Sequence, residues 1–163
     1  MFILNFRKSL ILLLYRIAQE VYADDLSGKG AWMNGGRWNS EGRFALYTSE
    51  SRALALLEIL AHAPAKMLTI KPYILLTLEI PDAVQTEKVL LENLPKNWNI
   101  THPDLPTIQT GDNFLQKSKA LLLAVPSAIM PEEWNYIINP LHADMQKVKI
   151  IKRRRIEFDK RLV

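Results

Sequence analysis

Two side chains in the first half of the chain stand where chemistry needs them. Arg37 lies in the glycine-rich run "GGRWNSEG" (35–42), and Glu58 interrupts the apolar helical pattern "ALALLEIL" (53–60). Glycine lets the backbone turn with positive φ and lets a ligand approach, so a planar guanidinium set among glycines can meet a phosphate. Arg37 reads equally as a turn arginine lying on the surface. Around Glu58 the residues one helical turn away are apolar or small, His62 being the partial exception, which predicts a helix without a solvated face for the charge. An ionised carboxylate in such a place costs several kcal/mol unless it is paired or faces a ligand. It is then either a structural ion-pair partner, of Arg16 or Arg37, or a reacting group.

The weaker candidates are read in the same two ways. Tyr47 ends an extended stretch just before the Glu58 helix and either stacks on an aromatic ligand ring or belongs to the core. Ser127 in "VPSA" and Asn135 in "WNY" are unremarkable alone, and no G-x-S-x-G elbow supports a serine nucleophile. The three histidines, His62, His102 and His142, have no metal-ligand spacing, so no metal site is expected. The absence of cysteine removes disulfides, thiolate metal sites and thiol nucleophiles, and fits a reducing cytoplasm. Neither a P-loop nor a G-x-G-x-x-G run is present, so any nucleotide is recognised by other means.

The elements that must position these residues follow from periodicity and punctuation. With 163 residues, 48% of them hydrophobic, the chain is expected to form one domain with a substantial core. The apolar run from Leu10 to Leu14 is shorter than a signal-peptide core and is cut by Arg16, so no signal or membrane span is expected. It predicts a first strand, Leu10 to Ile17, preceded by a leader, Met1 to Ser9. A Gly-rich loop runs from Asp24 to Gly42, followed by a strand from Phe44 to Thr48 and a helix opening at Ser49 or Ser51 with Glu50 in its first turn and Pro64 as its end. Tyr73 to Ile80 reads as a core strand between prolines. Residues 81–110 read as a long surface excursion, with a helix starting at Gly111-Asp112 and running to about Lys119. "ALLLAVPS", "WNYIINP" and Lys147 to Phe158 supply the later strands. About six strands and two or three helices without a βαβ rhythm predict an α+β fold with a mixed or antiparallel sheet.

The net charge of +4 and pI near 9.3 favour phosphate-bearing ligands or an acidic partner. The tail "KVKIIKRRRIEFDKR" allows a nucleic-acid-binding module as an alternative. Its charges alternate with Val148, Ile150 and Ile156 and carry no interleaved stacking aromatics, which favours a solvated edge strand.

Five segments, "YRIA" (15–18), "SGKGAWMNGGRWNSEG" (27–42), "ALYTSESRALALLEIL" (45–60), "GDNFLQKSKALLLAVPSAIMPEEWNYIINPLHAD" (111–144) and "FDKRL" (158–162), resemble the RES-domain family of bacterial toxins. The likeness extends from Tyr15 to Leu162, placing the RES domain at 10–163. Met1 to Ser9 falls outside the pattern, and Lys160 stands where the family commonly has proline. The resemblance implies a fold similar to ADP-ribosyltransferases and an activity that consumes NAD as substrate, by hydrolysis or phosphorolysis of its nicotinamide-ribose bond or by ADP-ribose transfer to a protein. It implies Glu58, Arg37 and Ser127 as catalytic residues, with Arg37, Tyr47, Ser127 and Asn135 holding NAD. It also implies a helix-turn-helix antitoxin of the Xre type as partner, and leaves open a homo-oligomer within that complex.

Overall fold

A computed structural model describes residues 11–100 and 105–163. The leader, Leu10 and His102 lie outside the described residues. The strands are β1 (Leu12–Gln19), β2 (Leu46–Ser49), β3 (Tyr73–Ile80), β4 (Thr86–Lys88), β5 (Leu122–Pro126), β6 (Trp134–Ile138) and β7 (Lys149–Ile156), and the helices α1 (Lys29–Asn34), α2 (Arg52–His62), α3 (Ala65–Ile70) and α4 (Leu105–Lys117). The strands form one mixed seven-stranded sheet in the order β4-β5-β6-β2-β1-β3-β7, in which only β4 and β5 run parallel. With its helices this makes a single α+β domain.

The sheet forks in the middle. All eight residues of β1 pair with β3, from Leu12↔Ile80 to Gln19↔Tyr73, whereas β1 and β2 are in register only at Tyr15↔Ser49. On its other side β2 pairs along its whole length with β6, including Tyr47↔Ile137 and Ser49↔Asn135. Because strand side chains alternate, these registers put Tyr15, Tyr47, Ser49 and Asn135 on one face. The opposite face carries the largest apolar cluster, with Leu14, Leu46, Leu76, Leu78, Leu122 and Ile138 all at 2% exposure or less.

On the first face the core is divided. Tyr15, Ile17, Tyr73 and Leu75 pack with Ala55 of α2 and Leu68 of α3, while Leu123, Val125 and Ile137 pack with Trp38, Trp98 and Phe114 of α4. The site lies between these clusters. α2 is started by Ser51, whose side chain accepts from Leu54 N at 3.0 Å. Glu50 is outside the helix, and its Oε1 accepts from Trp134 N at 2.6 Å. α2 does have a solvated edge, since Ala53, Ala61 and His62 are exposed, so Glu58 is not walled in by apolar groups as its neighbours in the chain imply.

Several boundaries differ from those read in the sequence. The Gly-rich loop contains α1, and Pro64, rather than only ending a helix, is the N-cap of α3. The excursion over 81–110 contains β4, and the last of its helices begins at Leu105, before Gly111. Pro106 sits in the first turn of α4, where a proline's missing N–H leaves no bond unmade. Strand β7 is at the sheet edge, as its alternation of charge and Ile predicts, and Arg153 and Arg155 pair with Asp24 and Glu20 at 3.1 and 3.6 Å.

Candidate functional site

Glu58 projects from α2 toward the pair formed by β2 and β6. Its Oε1 accepts two hydrogen bonds, from Ser127 Oγ at 2.8 Å and from Asn135 Nδ2 at 2.5 Å. Ser127 follows β5 and is fully buried. Its oxygen accepts from Ile129 N and Met130 N, each at 3.1 Å, so its one proton is committed to Glu58. Asn135 is oriented in turn by Ser49, whose Oγ donates to Asn135 Oδ1 at 2.7 Å. The other carboxylate oxygen, Oε2, lies 3.7 Å from His62 Nδ1, which bonds instead to the Glu58 backbone carbonyl at 2.8 Å. The Glu58 side chain is 20% exposed, and Oε2 accepts no hydrogen bond among the described residues.

The ion pair with Arg16 or Arg37, one of the two alternatives for Glu58, does not form. Arg16 donates to the Ala23 carbonyl at 3.2 Å and lies in the field of Asp25. Arg37 feels the charge of Glu58, which opposes the lowering of its pKa by burial, but its bonded partners are carbonyls: Nη1 donates to Trp98 O at 2.8 Å and Nη2 to Ile100 O at 2.9 Å. Arg37 is therefore neither a loose surface arginine nor a neutralising partner for Glu58. It is held in place by these two bonds, and its other guanidinium N–H groups have no partner among the described residues.

What holds its backbone is a tight turn from Gly36 to Asn39, closed by Gly36 N to Asn39 O at 2.9 Å. Gly35 enters the turn at φ +65°, a conformation that favours glycine. At Gly36 the constraint is space, because a Cβ there would come 2.6 Å from the Tyr47 hydroxyl. That hydroxyl accepts from Trp38 N at 3.0 Å and donates to Asn39 Oδ1 at 2.8 Å, while Asn39 Nδ2 bonds the carbonyls of Ala31, Ser40 and Arg43. Tyr47 thus pins the arginine turn with its hydroxyl and lines the cavity, and burial raises its pKa above the ordinary 10.0. At the far side of the turn, Ser40 N and Oγ both donate to Asp112 of α4, at 2.9 and 2.5 Å.

Arg37, Tyr47, Glu58 and Asn135 line one cavity of about 1120 Å³, which fills the fork between Arg16–Gln19 of β1 and Leu46–Ser49 of β2. This is slightly above the ~300–1,000 Å³ typical of small-molecule sites. Ser127 is not among the residues lining the cavity and is joined to it by its bond to Glu58 Oε1. Asn39 and Ser49 are not singled out in the sequence; Arg16 is considered there only as an ion-pair partner and His62 only as a neighbour of Glu58 and a possible metal ligand. Ser49, read in the sequence as a possible helix start, is instead the last residue of β2, on the same face as Tyr47.

The fold and site define an α+β protein with a ligand cavity at a forked sheet, an anchored carboxylate on one wall and an arginine turn on another. The RES domain family matches residues 13–159, and the chain belongs to this family. Its relatives include the Prs ADP-ribosylating toxin of Sphingobium sp., 40% identical over 148 residues, spanning 90% of this chain and 91% of the relative. Another is the Toxin Res of Photorhabdus laumondii subsp. laumondii, 37% identical over 154 residues, spanning 93% and 97%. Among solved structures, a chain of the M. tuberculosis MbcT-MbcA toxin-antitoxin complex shares the fold with a TM-score of 0.70 at 22% identity, over 91% of this chain and 85% of that one.

Proposed function

We propose that this protein is the toxin of a toxin-antitoxin pair, that it cleaves the nicotinamide-ribose bond of NAD, and that a helix-turn-helix antitoxin of the Xre type neutralises it. The observation that carries the chemistry is Glu58, held at Oε1 by Ser127 and Asn135 with Oε2 left to the cavity that Arg37 also lines. When the C–N glycosidic bond breaks, its electron pair leaves with nicotinamide and positive charge develops on the ribose. A fixed carboxylate stabilises that charge without reorganising. Arg37 offers its unspent N–H groups to the diphosphate, and the Tyr47 ring offers a face to an aromatic base. An acceptor oxygen then bonds to the anomeric carbon and releases its proton. The toxins among the relatives, and a toxin-antitoxin complex with this fold, support the biological setting.

With water or phosphate as acceptor the reaction destroys NAD; with a protein side chain it is ADP-ribosylation. The second reading is favoured by the Sphingobium relative, which is an ADP-ribosylating toxin. Both share the first step and therefore the same test. Glu58→Gln keeps an acceptor oxygen for Ser127 and Asn135 but removes the charge. NAD consumption by the purified variant should fall about a hundredfold or more, ~3 kcal/mol of transition-state stabilisation. Cells expressing it without an antitoxin should keep growing. A folded Glu58→Gln protein that consumes NAD at the wild-type rate overturns the assignment.

A further inference from the structure

We infer that Ser49 is a positioning residue for the reaction, acting on Glu58 through Asn135; the inference rests on the reading of Glu58 as the carboxylate that stabilises the developing charge. A carboxylate oxygen can only accept, but the Asn135 side chain has both a donor and an acceptor end. Turned the wrong way, it would set an amide oxygen against Glu58. The acceptor-only carboxylate selects the Nδ2 end, which faces Glu58 Oε1 at 2.5 Å, and Ser49 holds the other end: its Oγ donates to Asn135 Oδ1 at 2.7 Å and keeps the amide from swinging away. Ser127 by itself holds Oε1 from one direction and leaves the carboxylate free to pivot about that bond. The second donor, arriving from β6, fixes the carboxylate plane and with it the position of Oε2.

The place of Ser49 in the fold makes this arrangement rigid. It ends β2, is 4% exposed, pairs with Asn135 on one side and supplies the single register point with Tyr15 on the other. The vertex of the fork is therefore also the anchor of the site. A hydroxyl at this strand position fastens the far end of the Asn135 amide to β2.

The test compares wild type with Ser49→Ala, Ser49→Thr, Ser49→Val and Glu58→Gln, measuring kcat and KM for NAD and the melting temperature of each. Thr and Val have nearly the same shape and both suit a strand, so they differ in the hydroxyl alone. Expected for Ser49→Ala and Ser49→Val is a kcat about tenfold lower with KM within about twofold, and for Ser49→Thr a kcat restored to within about threefold of wild type. If Ser49→Ala does not fold, the Thr and Val pair still decides. Equal kcat for the Thr and Val variants, while Glu58→Gln is inactive, overturns the role of Ser49 and leaves Glu58 standing. Failure of the wild type to consume NAD, or full activity of Glu58→Gln, overturns the functional reading and this inference with it.

Discussion

Single side chains in this site do two kinds of work, and Tyr47 shows how they separate. A strand tyrosine beside a cavity invites a stacking role, yet its hydroxyl is already spent on Trp38 N and Asn39 Oδ1. Burial raises its pKa, so the folded protein keeps the phenol neutral at pH values where an unfolded tyrosine, titrating near 10, is ionised. The sign follows from linkage: stability from the neutral phenol is fully present below about pH 10 and is lost as pH rises from there toward the raised native value. Tyr47→Phe should cost roughly 1–3 kcal/mol at neutral pH, since Trp38 N and Asn39 Oδ1 lose a partner. The gap in melting temperature between wild type and Tyr47→Phe should then hold steady up to about pH 10 and narrow above it. A gap that stays constant or widens above about pH 10 counts against a buried neutral phenol.

At the scale of elements, the most informative contact joins α4 to the arginine turn. Gly111 lies inside α4, where an isolated helix would gain ~1 kcal/mol from alanine. Here a Cβ would stand 1.7 Å from the Trp38 carbonyl oxygen, so the helix and the turn touch backbone to backbone. Gly111→Ala should therefore destabilise by at least ~2 kcal/mol and lower the melting temperature by roughly 4–8 °C. Gly30→Ala is the control, because a Cβ on that α1 residue meets nothing within 4 Å. It should leave stability unchanged or slightly raised in the same thermal melts. A glycine that looks like a helix start in the sequence is thus a packing residue, and Asp112 beside it serves Ser40 instead of capping a helix.

For the whole molecule, a modest positive charge and a cavity at the sheet fork point to a phosphate-bearing small molecule. Among the described residues no helix is long and apolar enough to cross a membrane. Binding of NAD to the folded state alone predicts stabilisation by mass action, measurable in the Glu58→Gln protein without turnover. At about a hundred times Kd the gain is ~2.7 kcal/mol, a rise in melting temperature of roughly 5–10 °C. No shift at millimolar NAD would exclude the cavity as its site. The same assay with Arg37→Ala should show a smaller rise at equal NAD, because the guanidinium is held where the diphosphate is placed by the proposed chemistry.

The amino-acid sequence alone determined the α+β class, the bounds of the core strand Tyr73–Ile80, the edge position of Lys149–Ile156, and the resemblance that singled out Arg37, Glu58, Ser127, Tyr47 and Asn135. These are local properties: alternation, proline punctuation and motif spacing are written within short stretches of chain. Tertiary structure alone decided what each side chain bonds to. Arg37 answers to carbonyls some sixty residues away, as their spacings of 61 and 63 record. Glu58 is held by donors 69 and 77 residues further along, and Ser49 reaches Asn135 only because β2 and β6 are neighbours in the sheet. Helix periodicity made Glu58 look enclosed because it counts neighbours on one helix. Its solvation is set instead by the gap that the fork leaves between two parts of the core, and that gap exists only once strand order is chosen.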